Sequence, residues 1–207
     1  MTGSISHIYG ADRYLIATGN WNNPAVWAAS SGGTGGAGFP VAGDNVFIER
    51  GFTITVNIPN AQCSSLQLGG TTIASSPGTL TFAASGSPSL EVLGNIQLGA
   101  SGNTTRVGTI TFVSGSTLLA SSITLGNPAA SRGVITMTAG ATLNTGSFIV
   151  NTTTTPSTWT PSTGTVNITA TNTLPSSLVT SFFQFKYKFG YNYFGFSVNN
   201  KWSTSSQ

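Results

Sequence analysis

Short runs of alternating hydrophobic and polar residues recur along the middle of the chain. The first such phrase reads Gly-Thr-Leu-Thr-Phe from Gly78, and similar phrases start at Gly108, Gly133 and Gly164. The copies lie 30, 25 and 31 residues apart. An alternation with a period of two predicts short β-strands that bury one face. Its recurrence predicts a fold built from repeated units.

A second phrase lies between the copies of the first. It runs from Ser89 to Gly99, returns from Ser116 to Gly126, and recurs more loosely over residues 141–150. Each repeating unit thus contains three strands of a few residues, which are too short to bury a face alone. Stacking the units pairs each strand with its equivalent one coil away, at a spacing of about 4.8 Å.

The repeats therefore predict an all-β protein, a parallel β-solenoid (β-helix) of three-strand coils that are each about 25–31 residues long. Inward positions should form apolar ladders, and outward threonine and serine should form hydroxyl ladders. A β-sandwich with strands at regular spacing is the alternative. A sandwich does not require the two phrases to recur in a fixed order, so the pattern favours the solenoid.

Three segments follow from where the repeat begins and ends. Residues 1–44 do not follow it and are predicted to be an N-terminal cap, with Trp21 and Trp27 covering the apolar end of the coil. Residues 45–177 form the solenoid body. Residues 178–207 form an aromatic C-terminal strand or arm.

The amino-acid composition excludes two other classes of protein. Charged residues make up only 5% of the 207 residues, whereas a helical bundle needs many charged helix formers. A disordered chain would not contain 12 Phe, 5 Tyr and 4 Trp. Low charge suits a solenoid, because stacked coils would repeat like charges in columns spaced by about 4.8 Å.

The small net charge of +3 lies near the C-terminus, in Lys186, Lys188 and Lys201. Three lysines do not form the basic stripe that follows phosphates, so no nucleic-acid partner is predicted. No apolar run approaches the roughly 18 residues of a membrane span. The first residues lack the basic and apolar regions of a signal peptide, which predicts either assembly in the cytosol or earlier removal of a leader.

Few residues could carry catalysis or bind a metal. The only histidine is His7, in a serine-rich terminus, Cys63 is the only cysteine, and the acids are Asp12, Asp44, Glu49 and Glu91. Asp44 precedes a strand, where its side chain is expected to bond the backbone. A glycosidase needs two carboxyl groups about 5–9.5 Å apart, and Glu49 and Glu91 would meet only if the coils aligned by chance. Cys63 is expected to be a buried thiol. We therefore predict no enzymatic activity, no metal and no cofactor.

The N-terminal segment resembles a recurrent opening of β-solenoid proteins. It reads Asp-Arg-Tyr at 12–14, Gly-Asn-Trp at 19–21, then Trp27, a glycine-rich stretch at 31–36 and Gly-Asp-Asn-Val-Phe-Ile at 43–48. This opening is similar to that of structural proteins of tailed phages and of secreted bacterial surface proteins. The likeness covers about residues 12–170 and implies a structural or surface role, with no catalytic residues to transfer. The lack of a leader and of a sorting domain favours the phage proteins.

The expected function is that of a non-enzymatic structural protein of a phage, of the capsid decoration, head fibre or tail fibre type, at the virion surface. Its partners would be copies of itself, as a homo-oligomer, or other virion subunits. The first alternative is a secreted bacterial adhesin or extracellular filament subunit at the cell surface. The second is a glycan-binding module that recognises a host surface glycan.

The C-terminal arm differs from the rest of the chain in its aromatic content. Read with a period of two, six aromatic residues share one side: Phe183, Phe185, Tyr187, Phe189, Tyr191 and Tyr193. The arm either covers its own solenoid or adds as a strand to a neighbouring subunit, with the aromatic side chains as anchors. Stacking on single-stranded nucleic acid is a third interpretation, with only two lysines to support it. Six rings left in water would exceed the apolar patch that a soluble monomer tolerates, so an intersubunit contact is predicted.

Overall fold

The structure, a computed structural model, describes residues 10–70, 76–100, 103–127, 131–151, 156–160 and 162–170, together with the backbone of residues 185–189 and 192–193. The described residues form β-strands and one short 3-10 helix at Pro24–Val26. No helix in these ranges is long and apolar enough to cross a membrane. The strands are β1 (Asp12–Leu15), β2 (Gly19–Asn20), β3 (Trp27–Ala28), β4 (Asn45–Ile48), β5 (Thr53–Val56), β6 (Ala61–Cys63), β7 (Ser65–Leu68), β8 (Gly78–Phe82), β9 (Ser89–Leu98), β10 (Gly108–Thr111), β11 (Thr117–Leu125), β12 (Gly133–Thr136), β13 (Thr142–Val150), β14 (Thr158–Thr160), β15 (Thr165–Ile168), β16 (Phe185–Phe189) and β17 (Asn192–Tyr193).

These strands stack in parallel and form a β-solenoid with three faces, which confirms the predicted fold. The first face is a six-stranded sheet in the order β14-β12-β10-β8-β5-β2. The second face comprises β6, the first halves of β9, β11 and β13, then β15 and β16. The third comprises β1, β4, β7 and the second halves of β9, β11 and β13.

The core is built from columns of apolar side chains that repeat from coil to coil. On the first face Ile54, Leu80, Ile110 and Ile135 occupy equivalent positions and are fully buried. On the second face Leu90, Leu118, Leu143 and Val166 form such a column, and on the third face Val46, Leu66, Ile96, Ile123 and Phe148 do so. Fully burying one such side chain contributes roughly 1.5–3 kcal/mol. The apolar ladders predicted from the alternation are therefore confirmed.

The repeat register holds for three copies of the first phrase but not for the fourth. Gly78, Gly108 and Gly133 pair in register on the first face, as predicted. The phrase at Gly164 instead supplies β15, which pairs with β13 on the second face. The corresponding strand of the first face is β14, where Trp159 lies opposite Ile135. The large indole fills the inward position that a smaller residue occupies in the other coils. The sequence of β14 therefore does not match the repeated phrase.

The solenoid extends into both terminal segments. β1 pairs in parallel with β4, and β2 pairs with β5, so the sheets already begin at Asp12, within the segment 1–44. β3 turns back and pairs antiparallel with β1. At the other end β16 pairs in parallel with β15, with Val166 opposite Phe185, and β17 pairs antiparallel with β16.

Candidate functional site

The two tryptophans of the N-terminal segment lie inside the end of the coil. Trp21 and Trp27 are both fully buried, with ring centroids 5.5 Å apart in an edge-to-face arrangement. The Trp27 Nε1–H donates to the Trp21 carbonyl oxygen over 2.9 Å. The Trp21 backbone N–H donates to the Thr55 carbonyl oxygen over 2.8 Å, which ties this pair to the first face.

Asp44 joins the lead-in to the first full coil. Its carboxylate is buried and accepts hydrogen bonds from the backbone N–H groups of Ala11 (2.8 Å) and Val41 (3.2 Å). The Arg13 Nε lies 3.3 Å from the Asp44 Oδ2 and supplies the compensating charge. The prediction that the Asp44 side chain bonds the backbone is confirmed. This environment makes Asp44 a structural group.

Glu49 and Arg50 anchor the glycine-rich loop. Glu49 is buried, its Oε1 accepts a hydrogen bond from the Ser31 hydroxyl, and the Arg50 Nε lies 3.5 Å away. The Arg50 guanidinium also donates to the Ser31 Oγ over 3.2 Å. These contacts use the carboxylate to hold the loop against the coil.

Glu91 lies apart from Glu49, on the second face. It stands between buried Leu90 and Val92 and faces outward, in register with Gln62 and Leu119. The Gln62 side-chain N–H donates to the Glu91 Oε2 over 2.7 Å. A shallow depression of about 320 Å³ surrounds it, lined by Asn60, Gln62, Ser89, Leu90, Glu91, Thr117 and Leu119. The depression brings one carboxylate together with two amides, and Leu119 is exposed beside them.

Tyr14 lies in β1 on the third face, close to the carboxylates of Asp12 and Glu49. Its ring stacks on Phe47, with centroids 4.5 Å apart and planes 11° apart. Burial raises the pKa of the Tyr14 phenol, and the nearby charges of Asp12 and Glu49 raise it further. The phenol therefore stays neutral and acts as a packing group.

Cys63 is the buried free thiol that the sequence predicted. It is fully enclosed on the second face, opposite Val92 of the next coil. Burial raises the pKa of the Cys63 thiol strongly, and the charge of Asp44 adds to the shift. A thiol kept protonated in this way is a poor nucleophile. His7 lies outside the described residues, and within them no group of three or more His, Cys, Asp or Glu could hold a metal ion.

The predicted interface residues are described only in part. Phe183 and Tyr191 lie outside the described residues, and for Phe185, Tyr187, Phe189 and Tyr193 only the backbone is described, in β16 and β17. This backbone extends the second face of its own solenoid. Among the described strands, β17 pairs with β16 through Lys188 and Phe189. Contact with a neighbouring subunit stays a prediction.

The outward side of the first face carries two columns of threonine, which we call the threonine face. One column contains Thr53, Thr79, Thr109, Val134 and Thr158, and the other contains Thr55, Thr81, Thr111, Thr136 and Thr160. Hydroxyl ladders were predicted for the outer faces in general. Their concentration on one face was missed, although the Thr-X-Thr spacing in four strands was visible in the sequence.

Comparison with protein-family models, with curated proteins and with solved structures gave no match for this chain. The candidate sites therefore rest on the geometry described above.

Proposed function

We propose that this chain is a non-enzymatic structural protein of a phage virion, of the capsid decoration, head fibre or tail fibre type, and that it assembles through its termini. The observation that carries the proposal is the C-terminal edge of the second face. There β16 continues the parallel stack beside β15, and β17 turns back antiparallel along Lys188 and Phe189. Strands at the end of a stack can pair with a strand of another chain.

The placement of the acids supports the non-enzymatic part of this proposal. Asp44 and Glu49 are buried and hold the lead-in and the glycine-rich loop. Asp12 accepts a hydrogen bond from the Asn45 amide over 3.1 Å, and Glu91 accepts one from Gln62. Glu49 follows a strand of the third face, whereas Glu91 is on the second face. The two carboxylates that the sequence left as a possible glycosidase pair are thus on different faces.

The resemblance of the opening supports the virion setting. The Asp-Arg-Tyr and Gly-Asn-Trp phrases supply β1, β2 and Trp21, the parts that start both stacks. A secreted adhesin or filament subunit is the rival proposal, because surface proteins share this opening. The two differ in genetic setting: capsid or tail genes beside this gene favour the virion, and a longer reading frame with a leader favours the surface protein.

A glycan-binding module is a further candidate, favoured by the depression around Glu91. A carboxylate, the amides of Asn60 and Gln62 and the exposed Leu119 are groups that bind sugar hydroxyls and the apolar face of a sugar ring. Titrating host polysaccharide against the wild-type chain and Glu91→Gln tests this candidate. Binding that depends on Glu91 would favour it over a purely structural role.

The location is tested by mass spectrometry and antibody labelling of purified virus particles from the source of this gene. We expect the chain at a fixed copy number on the particle surface. Detection only in the cell-surface or secreted fraction would replace the virion by the rival proposal.

The assembly role is tested in the arm itself. We expect the triple variant Phe185→Ser, Tyr187→Ser and Phe189→Ser to leave a folded solenoid that no longer assembles, because the aromatic anchors are lost. The matched control replaces the intervening Gln184, Lys186 and Lys188 by serine and should assemble normally. Circular dichroism reports folding, and sedimentation velocity reports assembly. If the aromatic variant assembled like the control, or unfolded outright, the arm would belong to its own core.

A further inference from the structure

The threonine face presents a regular two-dimensional array of hydroxyl and methyl groups. Nine of its ten outward positions are threonine, and the tenth, Val134, has the same branched shape. Neighbours along a column lie about 4.8 Å apart, and the two columns lie about 6.6 Å apart, since these are the strand spacing and twice the rise per residue. The five strands make the array about 20 Å long.

This array keeps the same register from strand to strand. The pairings from β5 through β8, β10 and β12 to β14 run without a register shift, whereas the pairing of β9 with β11 shifts between Ala120 and Ser122. Threonine is branched at Cβ, which restricts its χ1 angle. Each hydroxyl is therefore limited to few positions relative to its neighbours.

The hydroxyls of the array have no partner in the part of the chain that the structure describes. Among the described residues, none of these nine hydroxyls has a hydrogen-bond partner, and all nine side chains are partly or fully exposed. Two threonines on the third face and at the corner before it differ, since the Thr124 hydroxyl donates to the Asn95 Oδ1 and the Thr145 hydroxyl donates to the Ser147 carbonyl oxygen. A hydroxyl can both donate and accept, so each of the nine can bond water or a ligand.

The array also lacks charge. The strands β5, β8, β10, β12 and β14 contain no Asp, Glu, Lys or Arg. Their inward residues are apolar and buried, and Ile110 and Ile135 lie directly behind the array. The ligand of this surface should therefore be uncharged and should itself repeat in two directions.

We propose that the threonine face binds the surface of ice crystals. Prism planes of ordinary ice present rows of water oxygens whose repeat in one direction lies close to the spacing along a column and in the other is somewhat longer than the distance between columns, and each lattice water can donate and accept a hydrogen bond. The methyl groups fit between the rows, and the hydroxyls meet several lattice waters at once. Flexible ligands such as peptides or single glycans do not repeat over five rungs. This inference is independent of the virion proposal.

The test measures the gap between the melting and freezing points of a single ice crystal, and the growth of ice grains during annealing, in solutions of the full chain. We expect the wild type to open this gap, to shape the crystal and to slow grain growth. Thr111→Tyr should lose most of the effect, because its ring stands above the centre of the array. Thr136→Tyr in the next coil should do the same.

The matched control is Thr142→Tyr, an outward threonine on the second face, and it should retain the full effect. A wild type without any effect on ice, or a control that loses as much as Thr111→Tyr, would overturn the proposal. So would a change of oligomeric state caused by Thr111→Tyr alone, because the face would then be covered by a second copy. Binding to an insoluble crystalline polysaccharide without any effect on ice would assign the face to that solid instead.

Discussion

At the scale of single residues, the polar groups that matter are those enclosed by the fold. Asp44 combines two backbone donors with the charge of Arg13, and Glu49 combines Ser31 with Arg50. The turn role of Asp44 could be predicted from its place before a strand. The role of Glu49 in holding the loop could not, because its partner Ser31 is 18 residues away and is brought close only by the coil.

Cys63 makes stability depend on pH at the alkaline end. Burial raises the pKa of its thiol in the folded chain, whereas the unfolded chain ionises near pH 8.5. The stabilisation gained by burying the neutral thiol is therefore complete below that pH. Above it, the free energy of unfolding falls by about 1.4 kcal/mol for each further pH unit. Urea unfolding at pH 8 and pH 10 should show the wild type losing about 2 kcal/mol more than Cys63→Val. Equal losses in the two proteins would mean that the thiol is not enclosed.

At the scale of strands, alternation predicted which side chains point inward, and it did so for Leu80, Leu90 and Ile96. It did not predict the count of residues at the corners. β9 has ten residues, and β11 and β13 have nine, so the pairing of β9 with β11 shifts at the bend between the second and third faces. Corner lengths depend on how the backbone turns in three dimensions, and the hydrophobic pattern carries no information on that.

The buried apolar column on the first face predicts how much a core substitution lowers the free energy of unfolding. Ile110 is fully buried between Leu80 and Ile135, so Ile110→Ala should lower the free energy of unfolding by about 2–5 kcal/mol. The matched control, Thr109→Ala, lies next to it and faces outward, so it should change the free energy by less than about 1 kcal/mol. Urea unfolding measures both. Equal costs would mean that the strand does not separate an inner from an outer side.

At the scale of the whole molecule, the repeat predicted the parallel solenoid, while the ends were harder to read. The two phrases recur in a fixed order because each coil repeats the same three faces. The strand that contains Trp159 was not recognised as a copy of the first phrase. Trp159 shares an inward position with Ile135 but not its size or chemistry. The threonine face was not predicted because the sequence shows the outward positions of one strand at a time. Only the register between the strands brings these threonines into columns.

The parallel register has a consequence for how the chain reaches this state. Every strand of the first face pairs with the strand one coil earlier or later, and none pairs across the length of the molecule. Folding can therefore grow outward from Trp21 and Trp27 during synthesis, each finished rung templating the next before the remaining chain has left the ribosome. A fragment of residues 1–127 should fold, with a smaller urea dependence than the full chain because it buries less surface. A fragment of residues 103–207 has no finished rung to grow on and should stay unfolded, and a cooperative transition in that fragment would show that growth can start at either end.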